Sequence, residues 1–593
     1  MGPNRPFLEV EQSFCGRRWA LRPGDERQAA VIGQRLGLPE VVCRVLAARG
    51  VGVDTAEAFL NPTLRDLLPD PSHLKDMDKA IARLVAAIEG GETIAIFGDY
   101  DVDGATSSAL LSRFFTAAGA EPLVHIPDRM TEGYGPNAPA LLALAEAGAT
   151  VVVTVDCGIT AFGPLDAAAE AGLDVIVVDH HAAEPRLPRA CAVVNPKRLD
   201  DDSPHDTLAA VGVAFLLVVG LNRALRQSGW YGEHCPAPDL MQWLDIVALG
   251  TVADVVPLVG VNRALVAQGI KVMAKRGNPG IAALLDVASV TTRPDAYHLG
   301  YVLGPRVNAG GRVGQADLGV KLLTSEDASE AAVYAHRLHA YNQDRQEIEG
   351  GVLIEAIEQA ETRAGDGSPM ILVAGADWHP GVIGIVASRL KERYAMPACV
   401  IALDGGMAKG SGRSVPGLDL GSAIIAAREA GILQAGGGHA MAAGFSLEAT
   451  RLEDFRAFLA DRLRQQADGG GAVPTLEVDG AVDISGCTPE LLDLLARVGP
   501  FGAGNEEPRF VLPSVRVVRA DVVGQGHVRC FLSGAAGGRL KAIAFKCVDT
   551  DLGMALLNGT GAPLHVAGTL RLDTWQGRNE CQLIIEDAAR AGL

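Results

Sequence analysis

Acidic residues and histidines cluster at a few points of this chain, each directly after a short apolar run. Asp99, Asp101 and Asp103 (GDYDVDGAT) follow residues 93–97 (TIAIF), and Asp156 (TVDCG) follows 150–155 (TVVVTV). Asp179, His180 and His181 follow 174–178 (DVIVV), and Asp254 sits inside the apolar run ALGTVADVVPL. Any one aspartate in such a place reads more simply as a turn former or helix N-cap. Asp254 alone could be a hydrogen-bonded core carboxylate, although buried unpaired Asp is rare. Gathered in one volume, so many carboxylates would repel one another and hold each other's pKa values up. Divalent cations relieve that repulsion, and mixed carboxylate and imidazole ligands favour manganese or magnesium. Two such cations can activate water against a phosphoryl group. That chemistry needs no covalent nucleophile, so Ser107 and Cys157 nearby need not act as one.

The elements around these residues explain how they would meet. The apolar runs, with 122–126 (PLVHI), are β-branched and alternate with Ala/Leu-rich helical stretches such as SSALLSRFFTAAG and APALLALAEAG. Units of this kind predict a parallel sheet covered on both faces. Residues just past the strand C-termini of such a sheet converge on one crevice. A long charged helical pattern (327–363) suits a connector to a second α/β segment (369–466), and a Gly-rich linker (467–474) follows. After Pro500 the chain turns to short strands with turn signals, which predicts a small OB-like barrel. The expected organisation is therefore a helical segment (1–85, Pro-punctuated at 61–72), a first α/β domain (86–325), the connector (326–365), a second α/β domain (366–466) and an all-β barrel (475–593).

Composition is compatible with this plan. A chain of 593 residues is too long for one core. Hydrophobic residues are 48% and charged ones 21%, ordinary for a folded globular protein. The net charge of −19 argues against coating of nucleic acid, but a local basic channel can still bind it. Aromatics are 5%, so a stacking surface must use few rings; Phe531, Phe545 and Trp575 are candidates in the barrel. The ten cysteines form no CxxC pair, and the first residues lack the apolar core of a signal peptide. The longest uncharged apolar run, 208–221, is short for a membrane span and suits a core helix. A reducing cytoplasm is the expectation.

GSGRS (410–414) offers glycines, two hydroxyls and Arg413, a combination that lets backbone amides and a guanidinium fork grip a phosphate. The bland alternative is a Gly-rich turn with a surface arginine. Arg306, Asn308 and Arg312 (GPRVNAGGR) form a second polar cluster, and Arg129 and Tyr134 (PDRMTEGYGPN) a third. His379 and His439 each stand among glycines, where a structural role is equally open.

Taken in order, GDYDVDGAT, TVDCGIT, DHH (179–181) and VADVVPL resemble the signature motifs of the DHH phosphoesterase superfamily. GPRVNAGGR, DWHPGVIGIVASRL, GSGRS, GGGHAMAAG and PFGAGNEEPRF are similar to motifs of its RecJ branch, and the resemblance covers roughly residues 15–590. It implies Asp101 and Asp156 on one Mn2+ or Mg2+. Asp103, Asp156, His180 and Asp254 would hold a second, with Asp156 bridging, Asp99 supporting the first ion and His181 near the scissile phosphate. It implies Ser411 and Arg413 on a 5′ phosphate, single-stranded DNA as substrate degraded 5′→3′, and a single-strand-binding protein and a RecQ-type helicase as partners. Two positions depart from the pattern. Phe97 stands where related pyrophosphatases carry a histidine, for which the resemblance implies Asp99 as the substitute, and Ala210 stands where a glycine is expected. Within the same chemistry the alternative is a nanoRNase-type phosphodiesterase on short oligonucleotides or cyclic dinucleotides, whose members are shorter and lack the terminal segments. From another class, an inactive nucleic-acid-binding scaffold would have lost metal ligands, and none of those expected is missing here.

Overall fold

The computed structural model describes residues 5–129, 131–362, 367–467, 474–559, 561–573 and 580–592. Its first strand, β1 (Arg18–Leu21), departs from the helical expectation for the N-terminal segment by pairing in parallel with Thr475–Val478. The helices that follow, Glu26–Leu36 and Glu40–Ala48, also turn toward the C-terminal part. Their Ile32, Val42 and Leu46 share a core with Phe510, Leu512, Val566 and Leu583. From Leu64 and Leu74 onward, and chiefly through Met77–Gly90, the segment packs instead with the core of the first α/β sheet.

That sheet holds β2 (Ile94–Gly98), β3 (Leu123–His125), β4 (Val151–Val155), β5 (Asp174–Val178) and β6 (Ala192–Val194), in the order β3-β2-β4-β5-β6 and all parallel. Alternate residues enter two cores: Ile94, Ile96, Val151 and Val153 on one face, Ala95, Phe97 and Val152 on the other. This is why the strands read as continuous apolar runs. β6, three residues long, is too short to show in the sequence pattern. The chain leaves β2 toward β3 on one side and returns to β4 on the other, so the strand order reverses between β2 and β4, where such sheets bind ligands. Behind them lies Ala210–Ser228, long and apolar enough to cross a membrane by length and composition, with 72% of its apolar window buried in the protein.

The connector is one helix, Ala328–Thr362, of 35 residues and about 50 Å. Ala331, Ala335 and Leu338 belong to the core of the first sheet, whereas Val352 and Ala356 belong to that of the second. The second sheet comprises β7 (Ile371–Ala376), β8 (Ala398–Asp404), β9 (Met407–Arg413), β10 (Ala435–His439) and β11 (Ala442–Glu448), in the order β10-β11-β9-β8-β7. β7 and β8 are parallel and the others antiparallel. GSGRS is thus the end of strand β9 and the start of its exit, not a Gly-rich turn.

The last region holds β12 (Thr475–Val478), β13 (Gly480–Ala481), β14 (Arg509–Val523), β15 (His527–Gly534), β16 (Gly537–Ala544), β17 (Pro563–Asp573) and β18 (Glu580–Arg590). The order β14-β15-β16-β18-β17 closes through a β14–β17 pairing into a five-stranded barrel of the expected kind. Phe545 is exposed and Phe531 half-buried; Trp575 and most of the expected Gly-rich linker lie outside the described residues.

Candidate active site

The first aspartate cluster is shaped by close backbone approach. A Cβ on Gly104 would stand 2.4 Å from the Asp99 carbonyl oxygen, and one on Gly98 would stand 2.1 Å from Ser108 Oγ. With no side chains there, the loop after β2 folds tightly onto the Val102–Ala117 helix. Asp101 is that helix's N-cap, its Oδ1 accepting from Asp103 N at 2.8 Å and Gly104 N at 3.0 Å. The buried Asp103 carboxylate accepts from Ala210 N at 2.6 Å and Val211 N at 2.9 Å, in the first turn of the Ala210–Ser228 helix. Backbone amides do this work, so alanine at position 210 serves as well as glycine.

Asp156, just past β4, takes a left-handed backbone with φ 60°, uncommon outside glycine and asparagine and frequent at functional sites. Its Oδ1 lies 3.2 Å from His180 Nε2, which is also 3.6 Å from Asp254 and 3.8 Å from Asp103. Asp254 ends the Leu244–Ala253 helix as its C-cap residue. Potential ligand atoms fall into three overlapping sets, each within 4.8 Å: Asp99, Asp101 and Asp156; Asp103, His180 and Asp254; Asp156, His180 and His181. Asp99 Oδ1, Asp156 Oδ1 and His180 Nε2 are buried without a hydrogen-bond partner. Burial and the neighbouring carboxylates push Asp99, Asp103 and Asp156 well above the usual carboxylate range. Asp254 is pushed up to about 7, by burial and then Asp101, while burial lowers His180 to about 4. Orphaned oxygens, mutual repulsion and a neutral imidazole among them are what a pair of divalent cations would resolve.

Asp179 has a different part. Its buried carboxylate accepts from His180 N, His181 N, Ile159 N and His181 Nδ1, the last at 2.8 Å. Burial alone would raise its pKa, but His181 and the backbone amides hold it down at about 2. The same contact raises His181 against its own burial. Asp179 therefore orients His181 instead of joining the ligand sets.

The cleft wall carries the polar residues. Tyr134 Oη donates to the Asp156 carbonyl at 3.1 Å and lies 3.4 Å from His181 Nδ1. The Arg129 guanidinium sits 5.3 Å over the Tyr100 ring, a cation–π contact. Arg312 donates to the Gly381 carbonyl at 3.1 Å, and His379 Nδ1 accepts from Gly381 N at 3.0 Å, so both stand where the two α/β domains meet. Burial, with Arg129 and Arg345 nearby, lowers Arg312 to about 10. Asn308 is turned to the aspartate loop, its Oδ1 accepting from Val102 N at 3.2 Å. Arg306 is directed away, to the Val302 carbonyl and to His339 on the connector. On β9, Arg413 Nη1 donates to Ser411 Oγ at 3.1 Å and the Gly412 carbonyl at 2.9 Å. A Cβ on Gly384 would meet Ser411 Oγ at 3.0 Å and Arg413 Nη2 at 3.2 Å, so the first turn of the Ile383–Tyr394 helix abuts both side chains. Exposed His439 is in register with Ala442, which pairs with Arg413. Two residues near the cleft were not singled out by the sequence: Tyr100, under the Arg129 guanidinium and inside DYD, and buried Arg345, close to Arg312 and paired with Glu349.

Carboxylates and a histidine pair at the switch point of a five-stranded parallel sheet, with a second α/β domain across the cleft, define a DHH-type phosphoesterase. In agreement, the model of the DHH family, N-terminal domain, matches residues 93–251, that of the DHHA1 domain 367–465 and that of the RecJ OB domain 478–587. The single-stranded-DNA-specific exonuclease RecJ of Dickeya dadantii is 38% identical over 560 residues, 93% of this chain and 96% of that one. RecJ of Escherichia coli K12 is 38% identical over 563 residues, with the same coverage. The crystal structure of Thermus thermophilus RecJ in complex with Mn2+ matches with a TM-score of 0.81 at 30% identity, covering 97% of this chain and 79% of that one. This chain belongs to the RecJ family.

Proposed function

We propose that this protein is a metal-dependent exonuclease that hydrolyses phosphodiester bonds of single-stranded DNA in the 5′→3′ direction, in recombination and repair. The observation that carries it is the set of buried, unpartnered Asp99, Asp156 and His180 atoms within reach of Asp101, Asp103 and Asp254. Asp101 and Asp156, supported by Asp99, fit one ion; Asp103, Asp156, His180 and Asp254 fit the other, with Asp156 shared. Mn2+ or Mg2+ bound there would polarise the phosphoryl oxygens and lower the pKa of a water. His181, oriented by Asp179, faces the scissile phosphate and can hold a proton at Nδ1. Tyr134 and Arg129 line the approach. Ser411, Arg413 and the first turn of the Ile383–Tyr394 helix form the 5′-phosphate pocket, with His379 and His439 at its rim. Arg312 bridges the two halves, and Asn308 steadies the aspartate loop.

The barrel extends the path of the strand. All ten cysteines are free, which suits a reducing cytoplasm. There a single-strand-binding protein and a RecQ-type helicase would supply the substrate. Digestion of 5′-labelled and 3′-labelled single strands and a blunt duplex, with Mn2+ or Mg2+, tests the reading. Mononucleotides released first from the 5′-labelled strand, with the duplex intact, is the expected result; release of the 3′ label first, or cleavage of dinucleotides alone, would overturn it.

A further inference from the structure

Residues 500–505 (PFGAGN) take no part in the cleft, yet they lodge against the chain just past Asp254. The Ala503 carbonyl accepts from Leu258 N at 2.7 Å. A Cβ on Gly502 would stand 2.8 Å from Leu258 Cδ1, and one on Gly504 would stand 2.9 Å from Pro257 Cβ and 3.3 Å from its Cα. Gly504 has φ 69°, a second reason for glycine there. Asn505 closes the loop on itself by donating to the Val498 and Pro500 carbonyls, while its Oδ1 accepts from Arg49 Nε at 2.8 Å. From the other flank, buried Arg263 donates to the Arg497, Val498 and Gly499 carbonyls. Its neighbour Asn262 donates to the Pro257 carbonyl at 3.0 Å and the Thr207 carbonyl at 2.7 Å, and Thr207 leads into the helix whose amides hold Asp103.

Asp254 needs such support where Asp101 and Asp103 do not. Asp101 and Asp103 are fixed by backbone amides, whereas among the described residues no hydrogen bond holds the Asp254 carboxylate. Its side chain is 20% exposed and Val255 behind it has φ 62°, so its position depends on the backbone beneath. We propose that the 500–505 loop is a positioning element for Asp254: the seating of the barrel region on residues 257–258 sets where that carboxylate stands relative to Asp103 and His180. This rests on Asp254 being a metal ligand.

The test is calorimetric titration of Mn2+ into the metal-free full-length protein, with steady-state kinetics on a 5′-phosphorylated oligonucleotide. Gly504→Ala should weaken one of the two Mn2+ sites by about tenfold or more, the scale seen when support behind a ligand is lost. It should lower kcat while changing KM by less than about twofold. In an Asp254→Ala background it should weaken Mn2+ binding no further. Gly502→Ala, at an ordinary φ, should do the same more mildly and be relieved by Leu258→Val; it serves if Gly504→Ala does not fold. Wild-type affinity at both sites in either folded glycine variant overturns the proposal. So does an equal loss in the Asp254→Ala background. If Asp254→Ala itself leaves Mn2+ binding unchanged, the ligand assignment has failed instead, and the proposal with it.

Discussion

Replacing Arg413 with alanine removes a guanidinium that, among the described residues, has no carboxylate partner. Its Nη1 is engaged by two neutral acceptors, Ser411 Oγ and the Gly412 carbonyl, and Nη2 faces the first turn of the Ile383–Tyr394 helix. Burial lowers its pKa, so the charge is held at a cost that an incoming anion would offset. One charge-assisted contact to a terminal phosphate is worth roughly 1.5–3 kcal/mol, which is about ten- to a hundredfold in kcat/KM. A strand ending in a 5′ hydroxyl offers the guanidinium a neutral acceptor and no ion pair, worth at most about 1.5 kcal/mol, so its loss should stay within about tenfold. Arg413→Lys keeps the charge but not the fork and should fall between. The carboxylate and histidine cluster is untouched, so kcat at saturation should fall less than kcat/KM. The assay is release of acid-soluble nucleotides from otherwise identical strands with a 5′ phosphate or a 5′ hydroxyl. Equal losses on both ends would place Arg413 along the backbone path and refute the terminal-phosphate reasoning; no loss on either would leave it a strand residue only.

One substitution at the site should have opposite signs for stability and activity. Asp156→Asn should raise the melting temperature of the metal-free protein, because burial and Asp101, Asp103, Asp99 and Asp254 all disfavour its charge, and asparagine tolerates φ 60°. The same variant should lose more than about a hundredfold in nuclease rate, beyond the cost of losing an outer partner of a metal ligand, and should be stabilised less by added Mn2+. EDTA should abolish hydrolysis and Mn2+ or Mg2+ restore it; full recovery with Zn2+ alone would contradict the choice of hard ligands. Arg263→Met should cost about 3 kcal/mol or more in urea unfolding, because the Phe59, Arg497, Val498 and Gly499 carbonyls lose their donor.

Much of the architecture was legible in one dimension because the forces behind it are short-range. Runs such as TIAIF, TVVVTV and DVIVV specify strands buried on both faces, and alternation with helices makes the sheet parallel. Once the sheet is parallel, residues that follow β2, β4 and β5 must arrive at one edge, so Asp99, Asp101, Asp103, Asp156 and the histidine pair could be grouped from spacing. The connector and the barrel strands were readable for the same reason. What depended on long-range packing was not. The pairing of β1 with β12 joins the N-terminal segment to the strand that leads into the barrel, across almost the whole chain. Asp254 stood out as a charge in an apolar run, but only packing of the Leu244–Ala253 helix brings it 3.6 Å from His180. The DHH triplet names three adjacent residues, and tertiary contacts alone divide them into a carboxylate that orients, an imidazole among the buried carboxylates and an imidazole beside Tyr134. GSGRS has the composition of a turn and became a strand because β8 and β11 pair with it on both sides. Propensity and periodicity choose the element; which faces and ends then meet is decided by burial of surfaces far apart in sequence, and the active site is made where they do.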